Sequence, residues 1–530
     1  MKYSLCSMNE WTYPDIYPEK EVTERINLKT VRGGSAGFQI RLTKIPEWAN
    51  MKLYFTSSEP LGAEIFREIS VNVPVNTGVK GFTADWETAK DYATRTVPFR
   101  VYDPIVPVGE EGFSANADEA IYVSFRPDIV LSAGKYKGIL TIELPEEKTA
   151  VEVIIEIADA LLPAETLKVT NWYSLGNMAR GSGVEMWSED HWKLIEAYGR
   201  AMRRIHQNVF WITAESIIIS VDENEKYVFD FSRTERLIKL YLSLGFTTIE
   251  GLPLFSRETW EKAEFLVRTP KGTLKAMSPE GYEFVSEFLK AWADFLKRNG
   301  WYDITIQHVG DEPHESAAAE YRILSGIVRK FMPGIRIIEA VETYDLDGAV
   351  DIWVPKNDYY DRNTAQLEAH RAKGDEIWFY TCCIPGGHYA NRLLDFPLIR
   401  TRMLHWGNFK YNLTGYLHWG LNHWHGNPYE DTQTEPVNRL PVGDTHILYP
   451  LPGPDGKGKP GVIGSMRAEM MKAGTEDYEM LRKIAKYSEE KADALCTALF
   501  RAFNDCDNTP EEFDRVHSEI IDALAEVPQF

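Results

Sequence analysis

Asp303-Ile304-Thr305-Ile306-Gln307-His308-Val309-Gly310-Asp311-Glu312-Pro313 is the stretch on which the fold of this chain is decided. Ile304, Ile306 and Val309 supply the apolar positions of a buried strand, Gly310 ends it, and two adjacent carboxylates follow. A helix is expected from about Ser316 to Phe331. In an α/β barrel, chemistry sits at the C-terminal ends of the strands. Neighbouring residues of a regular strand point to opposite faces. Asp311 and Glu312 therefore reach one ligand only if they lie past the strand end, where Gly310 permits a turn. Carboxylates this close repel each other, so one should have a raised pKa while the other stays ionised. Taken alone, an Asp-Glu pair reads as a polar loop that caps the next helix. The flanking sequence favours chemistry.

On both sides of this stretch the chain alternates strand and helix. Candidate strands are Leu167–Tyr173, Asn208–Thr213, Thr247–Leu252, Asp303–Val309, Ile335–Val341, Val350–Pro355, Glu376–Thr381 and Thr414–Trp419. Amphipathic segments such as Glu189–His206, Pro279–Arg298 and Ala317–Phe331 lie between them. Eight such units make a (β/α)8 barrel, assigned to residues 165–464. Residues 1–160 read as short strands between turns, which predicts an antiparallel β-sandwich. After the Gly/Pro-rich loop Tyr449–Gly456, residues 465–530 read as a helical segment packed on the barrel, its charges forming a solvated outer face. The fold class is multidomain α/β.

Composition narrows the function. With 79 acidic against 58 basic residues the formal charge is −21, which argues against a nucleic-acid partner or an anionic membrane surface. No apolar run is long enough to span a membrane. The opening residues lack the apolar core of a signal peptide, so a cytoplasmic location is expected. The five cysteines are scattered apart from the adjacent Cys382-Cys383, and they form neither a disulfide framework nor a CxxC site. His418, His423 and His425 are too loosely spaced for a metal site, and there is no phosphate-binding loop or dinucleotide fingerprint. No metal and no cofactor are expected.

Residues at the strand ends are of the types that bind sugars. Trp172, Tyr173, His308, Tyr344, Asn357, Tyr380, His388, Trp419, Asn422 and Trp424 are the candidate substrate-binding residues. A pyranose offers C–H faces that stack on aromatic rings and hydroxyls that need fixed hydrogen-bond partners. Trp353 and Trp378, inside strands, read as scaffold.

Two glycosidase mechanisms compete for Asp311 and Glu312, the candidate catalytic residues. A retaining enzyme with a protein nucleophile needs a second carboxylate, commonly on strand seven. Here Glu376-Ile377-Trp378-Phe379-Tyr380-Thr381-Cys382-Cys383 has none at its exit, and Glu342 after strand five is the alternative nucleophile. In substrate-assisted hydrolysis the sugar's 2-acetamido oxygen attacks its own anomeric carbon. One carboxylate then orients the acetamide and its neighbour protonates the leaving oxygen. The missing nucleophile favours this second route. A sugar-binding barrel without catalysis is the non-enzyme alternative.

The motifs His308–Pro313, Gly415-Tyr416-Leu417-His418-Trp419-Gly420-Leu421-Asn422-His423-Trp424, Ser465–Met470 and Gly474-Thr475-Glu476-Asp477-Tyr478-Glu479 together resemble glycoside hydrolase family 123, the β-N-acetylgalactosaminidase family. The resemblance implies a β-sandwich followed by a barrel, retention of configuration and no cofactor. It also implies that Asp311 orients the acetamide and that Glu312 is the general acid/base. The implied partner is a small-molecule glycan with a terminal β-linked N-acetylhexosamine, with no nucleic acid and no membrane. A homo-oligomer is compatible with the sequence.

Overall fold

A computed structural model describes residues 1–16, 24–433, 440–453 and 458–529. The chain forms two compact units: Met1–Leu167 with Gly386–Asn412 and Trp424–Phe530, and Lys168–Pro385 with Leu413–His423.

The first unit is sheet-rich. Ala36–Thr43 runs antiparallel to Glu119–Phe125, with Phe38 opposite Val123 and Ile40 opposite Ile121. Phe38, Ile40 and Leu42 alternate inward and are fully buried, as the period of two requires. They pack with Leu140, Ile142, Val151 and Val153 of a second sheet in one apolar cluster. The pairing departs from a purely antiparallel expectation. Arg25–Arg32 lies parallel to Lys148–Leu161, the long intervening chain giving the crossover that parallel strands need. The loop read at Tyr449–Gly456 begins with a strand at Tyr449–Leu451, and a second strand follows beyond it at Gly461–Ser465, paired with Pro104 and Ile105. Pro454–Gly456 of that loop lie outside the described residues.

The helix Met466–Ala485 corrects the reading of a solvated face. Arg467, Glu469, Lys472, Glu476, Asp477 and Glu479 on it are all buried. Each meets a partner: Arg467 pairs with Asp103 at 2.8 Å and Asp477 with Arg402 at 2.7 Å. Glu476 accepts from the Ser35 N–H, and Glu479 from Leu167. Buried charges persist only when matched in this way.

The second unit holds the parallel strands. Val209–Trp211, Thr248–Gly251, Thr305–Gln307, Arg336–Val341, Ile352–Pro355 and Glu376–Ile377 form one sheet in that order; Lys168–Asn171, Gly415–His418 and Phe379–Tyr380 form another. The expected closed barrel sheet is therefore not observed, and the two seams have physical causes. Between the first and second strands, side-chain amides supplement the main-chain bond from Asn208 N–H to the Val169 carbonyl: Val169 N–H donates to Asn208 Oδ1, and Gln207 Nε2 donates to the carbonyls of Asn171 and Val209. The seventh strand breaks at Trp378, so its first half pairs with the sixth strand and its second half with the eighth. Trp378 lies flat against Gly415, where any Cβ would meet its ring at 2.1 Å. Trp353 and Trp378 are buried scaffold, as their place within strands suggested.

Candidate active site

The fourth strand ends at Gln307, and Asp311 and Glu312 lie on the irregular turn beyond it. The turn is made differently from the sequence expectation. Gly310 is not left-handed; Glu312 itself takes φ +46°, a strained value for a residue with a Cβ. This reversal lets consecutive carboxylates escape the strand's alternation. Gly310 is required for space instead, because a Cβ there would meet Phe265 Cε1 at 2.6 Å.

Beneath the turn lies a buried ionic core. His308 Nε2 is 2.8 Å from Glu250 Oε1 and His308 Nδ1 is 2.7 Å from Glu339 Oε1, with all three side chains inaccessible. Both ring nitrogens face carboxylates, so both carry protons. Burial would push the imidazole pKa down, but Glu339 and Glu250 carry it up to about 10. Glu339 Oε2 also accepts from the N–H groups of Val309 and Gly310 and from the Tyr321 hydroxyl, each at 2.9 Å. The strand end that carries the acids is thereby fixed by charge-assisted bonds. His308 is thus a buried supporting residue, correcting its assignment as a sugar contact.

Above this core the acids meet unequal surroundings. Burial pushes the Asp311 carboxyl well above its usual value, and Glu312 and Glu339 add to the effect. Burial also raises Glu312, but Lys356 and a hydrogen bond from the Tyr380 hydroxyl oppose the rise. Lys356 is ion-paired with Glu342 and forms a parallel bridge to Tyr380. Arg257 Nη2 donates to the main-chain carbonyls of Asp311 at 3.1 Å and Glu312 at 2.8 Å.

The other predicted residues divide. Trp172 is half-buried, stacks on Trp211 at 4.2 Å and donates to Glu250. Tyr344 is exposed, and Trp419 is half-buried beside His423. Tyr380 touches Glu312. Tyr173, Asn357 and Asn422 are buried and structural, a correction to their sugar-binding assignment. The Tyr173 hydroxyl donates to the Trp211 carbonyl, Asn357 Oδ1 accepts from Asp358 N–H, and Asn422 clamps both backbone groups of Ser174. His388 and Trp424 belong to the other unit, where their rings meet Tyr92 and His446.

Sequence reasoning missed Glu250, Glu339, Lys356, Arg257 and Trp211. For the two glutamates a signal existed. Each is a lone carboxylate in an otherwise apolar strand, Ile249-Glu250-Gly251 and Ile337-Ile338-Glu339-Ala340, and a buried charge demands a partner.

Comparison with known proteins places this geometry. The family described as glycoside hydrolase 123, catalytic domain, matches residues 172–484. A family 123 glycoside hydrolase from Clostridium perfringens, studied for glycolipid glycan hydrolysis, aligns with TM-score 0.76 over 99% of this chain and 96% of that one, at 14% identity. At that identity the likeness is one of fold. A GH10 xylanase with a bacterial Ig-like domain from termite gut aligns at TM-score 0.34 and 11% identity, over 86% of this chain and 100% of that one, too weakly to carry argument. No curated protein sequence matches. Since the family match spans more than half of the chain and contains the Asp-Glu turn with its ionic core, this protein belongs to glycoside hydrolase family 123.

Proposed function

We propose that this glycoside hydrolase is a retaining exo-β-N-acetylgalactosaminidase acting by substrate assistance on glycans ending in β-linked N-acetylgalactosamine. The observation that carries the reading is the placement of Asp311 and Glu312 on one turn, while the seventh strand brings Tyr380 to Glu312 where a nucleophilic carboxylate would otherwise stand. The glycolipid glycan hydrolysis ascribed to the Clostridium perfringens relative supports a glycan substrate. We further read the two parallel sheets as one (β/α)8 barrel, with side-chain amides and the break at Trp378 spanning its seams.

In the proposed reaction the acetamide carbonyl oxygen bonds to the anomeric carbon as the glycosidic C–O bond breaks. Glu312 gives its proton to the leaving oxygen, and Asp311 accepts the amide N–H and faces the oxazolinium charge. Glu312, now a carboxylate, takes a proton from the water that reopens the ring, so configuration is retained. Asp311 is the more strongly raised of the two, its burial opposed by the charges of His308 and Arg257, whereas Lys356 and the Tyr380 hydrogen bond act on Glu312. The substrate's N–H favours the ionised form of Asp311 and so leaves the proton for Glu312. Trp172, Tyr344 and Trp419, which keep accessible surface, are proposed to face the sugar.

The test is hydrolysis of 4-nitrophenyl β-N-acetylgalactosaminide beside the matched β-galactoside. Cleavage of the acetamido sugar alone is expected. Equal cleavage of both would overturn substrate assistance and direct attention to Glu342, which shares Lys356 with Glu312.

A further inference from the structure

Cys382 and Cys383 leave the seventh strand immediately after Tyr380 and Thr381, and no step of the proposed hydrolysis uses them. Their sulfur atoms are 4.0 Å apart, and both residues are half-buried. Cys382 packs on the apolar cluster that contains Tyr380 and Leu417, and its Sγ donates to the Ile384 carbonyl at 3.3 Å. It also lies within electrostatic reach of Lys356 and of the Tyr380 hydroxyl. Both act on Glu312, beside Arg257 and Glu342: Tyr380 by a hydrogen bond, Lys356 by its charge. Cys6, Cys496 and Cys506 all belong to the other unit.

We propose that Cys382 and Cys383 form a site of reversible oxidation by low-molecular-weight disulfides, and that closing the ring between them draws Tyr380 and Lys356 away from Glu312. One cysteine thiolate attacks a sulfur of the small disulfide. A protein–small-molecule S–S bond forms and one small thiolate leaves. The neighbouring thiolate then attacks the protein sulfur of that mixed disulfide and expels the second small thiolate. Two protein thiols are oxidised, one small disulfide is reduced to two thiols, and the released thiolates take up the protons.

Reversibility follows from geometry. Consecutive Cα atoms across a trans peptide lie about 3.8 Å apart, less than the roughly 4.4–6.8 Å that protein disulfides usually span. A ring closed at that spacing is strained, and strained disulfides are the readily reduced ones. Closure must also bring the sulfurs from 4.0 Å to about 2.05 Å. The chain there must shift, with Cys382 lying against the Tyr380 cluster.

The effect on hydrolysis rests on the role proposed for Glu312; the oxidation does not. The full chain is titrated with oxidised glutathione and followed by peptide mass, by labelling of Lys356 with an amine reagent, and by hydrolysis. The expected results are loss of two hydrogens from the peptide holding both cysteines, faster labelling of the otherwise buried Lys356, and about a tenfold fall in kcat/KM, part of what proton donation supplies. Dithiothreitol should reverse all three. Cys383→Ser should keep the reduced activity and lose the response. A glutathione adduct without ring closure, or a closed ring with Lys356 labelling unchanged, would overturn the proposal. Should the reduced protein cleave no β-hexosaminide, the reading of function fails, while mass and labelling still decide the switch.

Discussion

Glu312 carries a left-handed backbone that turns it beside Asp311, and the proposed reaction asks its carboxyl to give up a proton and take it back. Replacing the acid while keeping its shape separates them. Glu312→Gln should retain the fold and lose about 10²–10⁴-fold in kcat/KM on substrates with poor leaving groups, the usual worth of proton donation. A natural oligosaccharide turned over at an undiminished rate would remove Glu312 from the role. Tyr380 gives a subtler handle. Its hydroxyl stabilises the Glu312 carboxylate, so Tyr380→Phe should raise the pKa of the acid. In the proposed role the acid works only while protonated, so the alkaline limb of kcat/KM should move to higher pH. A pH–rate profile reads this shift, and an unmoved limb would mean that the pair's proton is governed elsewhere.

At the scale of the element, the turn after the fourth strand depends on Gly310 for room. Gly310→Ala would drive a Cβ to 2.6 Å from Phe265, so the variant should lose roughly 1–3 kcal/mol in denaturant unfolding, as overpacked sites do, together with activity. Adding Phe265→Leu should restore much of both; failure of that rescue would show that Gly310 matters for some other reason. The strands and helices around this turn were legible because burial imposes period. Pro279–Arg298 forms where apolar spacing, the Ser278 cap and Pro279 at the first turn all agree. The turn's handedness was not legible, because Gly310 was the residue expected to bend and the strain falls on Glu312. Nor was the break at Trp378, which follows from the fit of one ring against Gly415 thirty-odd residues on. Periodicity records which face is buried, not which neighbour lies there.

Across the whole molecule, the charges of Met466–Ala485 argue the same limit. Their spacing suggested exposure, yet Arg467 is matched by the distant Asp103 and Asp477 by Arg402 and His517, while Lys472 pairs with Glu469 on the same helix. The motif Gly474–Glu479, part of the family resemblance, thus contributes to the unit's architecture through Asp477, Glu476 and Glu479. Burial alone would push the Asp477 carboxyl up, but Arg402 and His517 hold it well below its ordinary 3.8. A carboxyl depressed in the folded state contributes stability that is present above its unfolded pKa and is lost as pH falls through the folded value. The stability difference between the wild type and Asp477→Asn should therefore be greatest near neutral pH and shrink below about pH 4 in denaturant titrations. Arg402→Met, which leaves the buried carboxylate to His517 and the Trp406 indole N–H, should cost about 3–5 kcal/mol, whereas Arg402→Met with Asp477→Leu should recover much of the loss. A single variant as stable as the wild type would mean that His517 and Trp406 suffice for Asp477, and that its ion pair with Arg402 does not hold the helix in place.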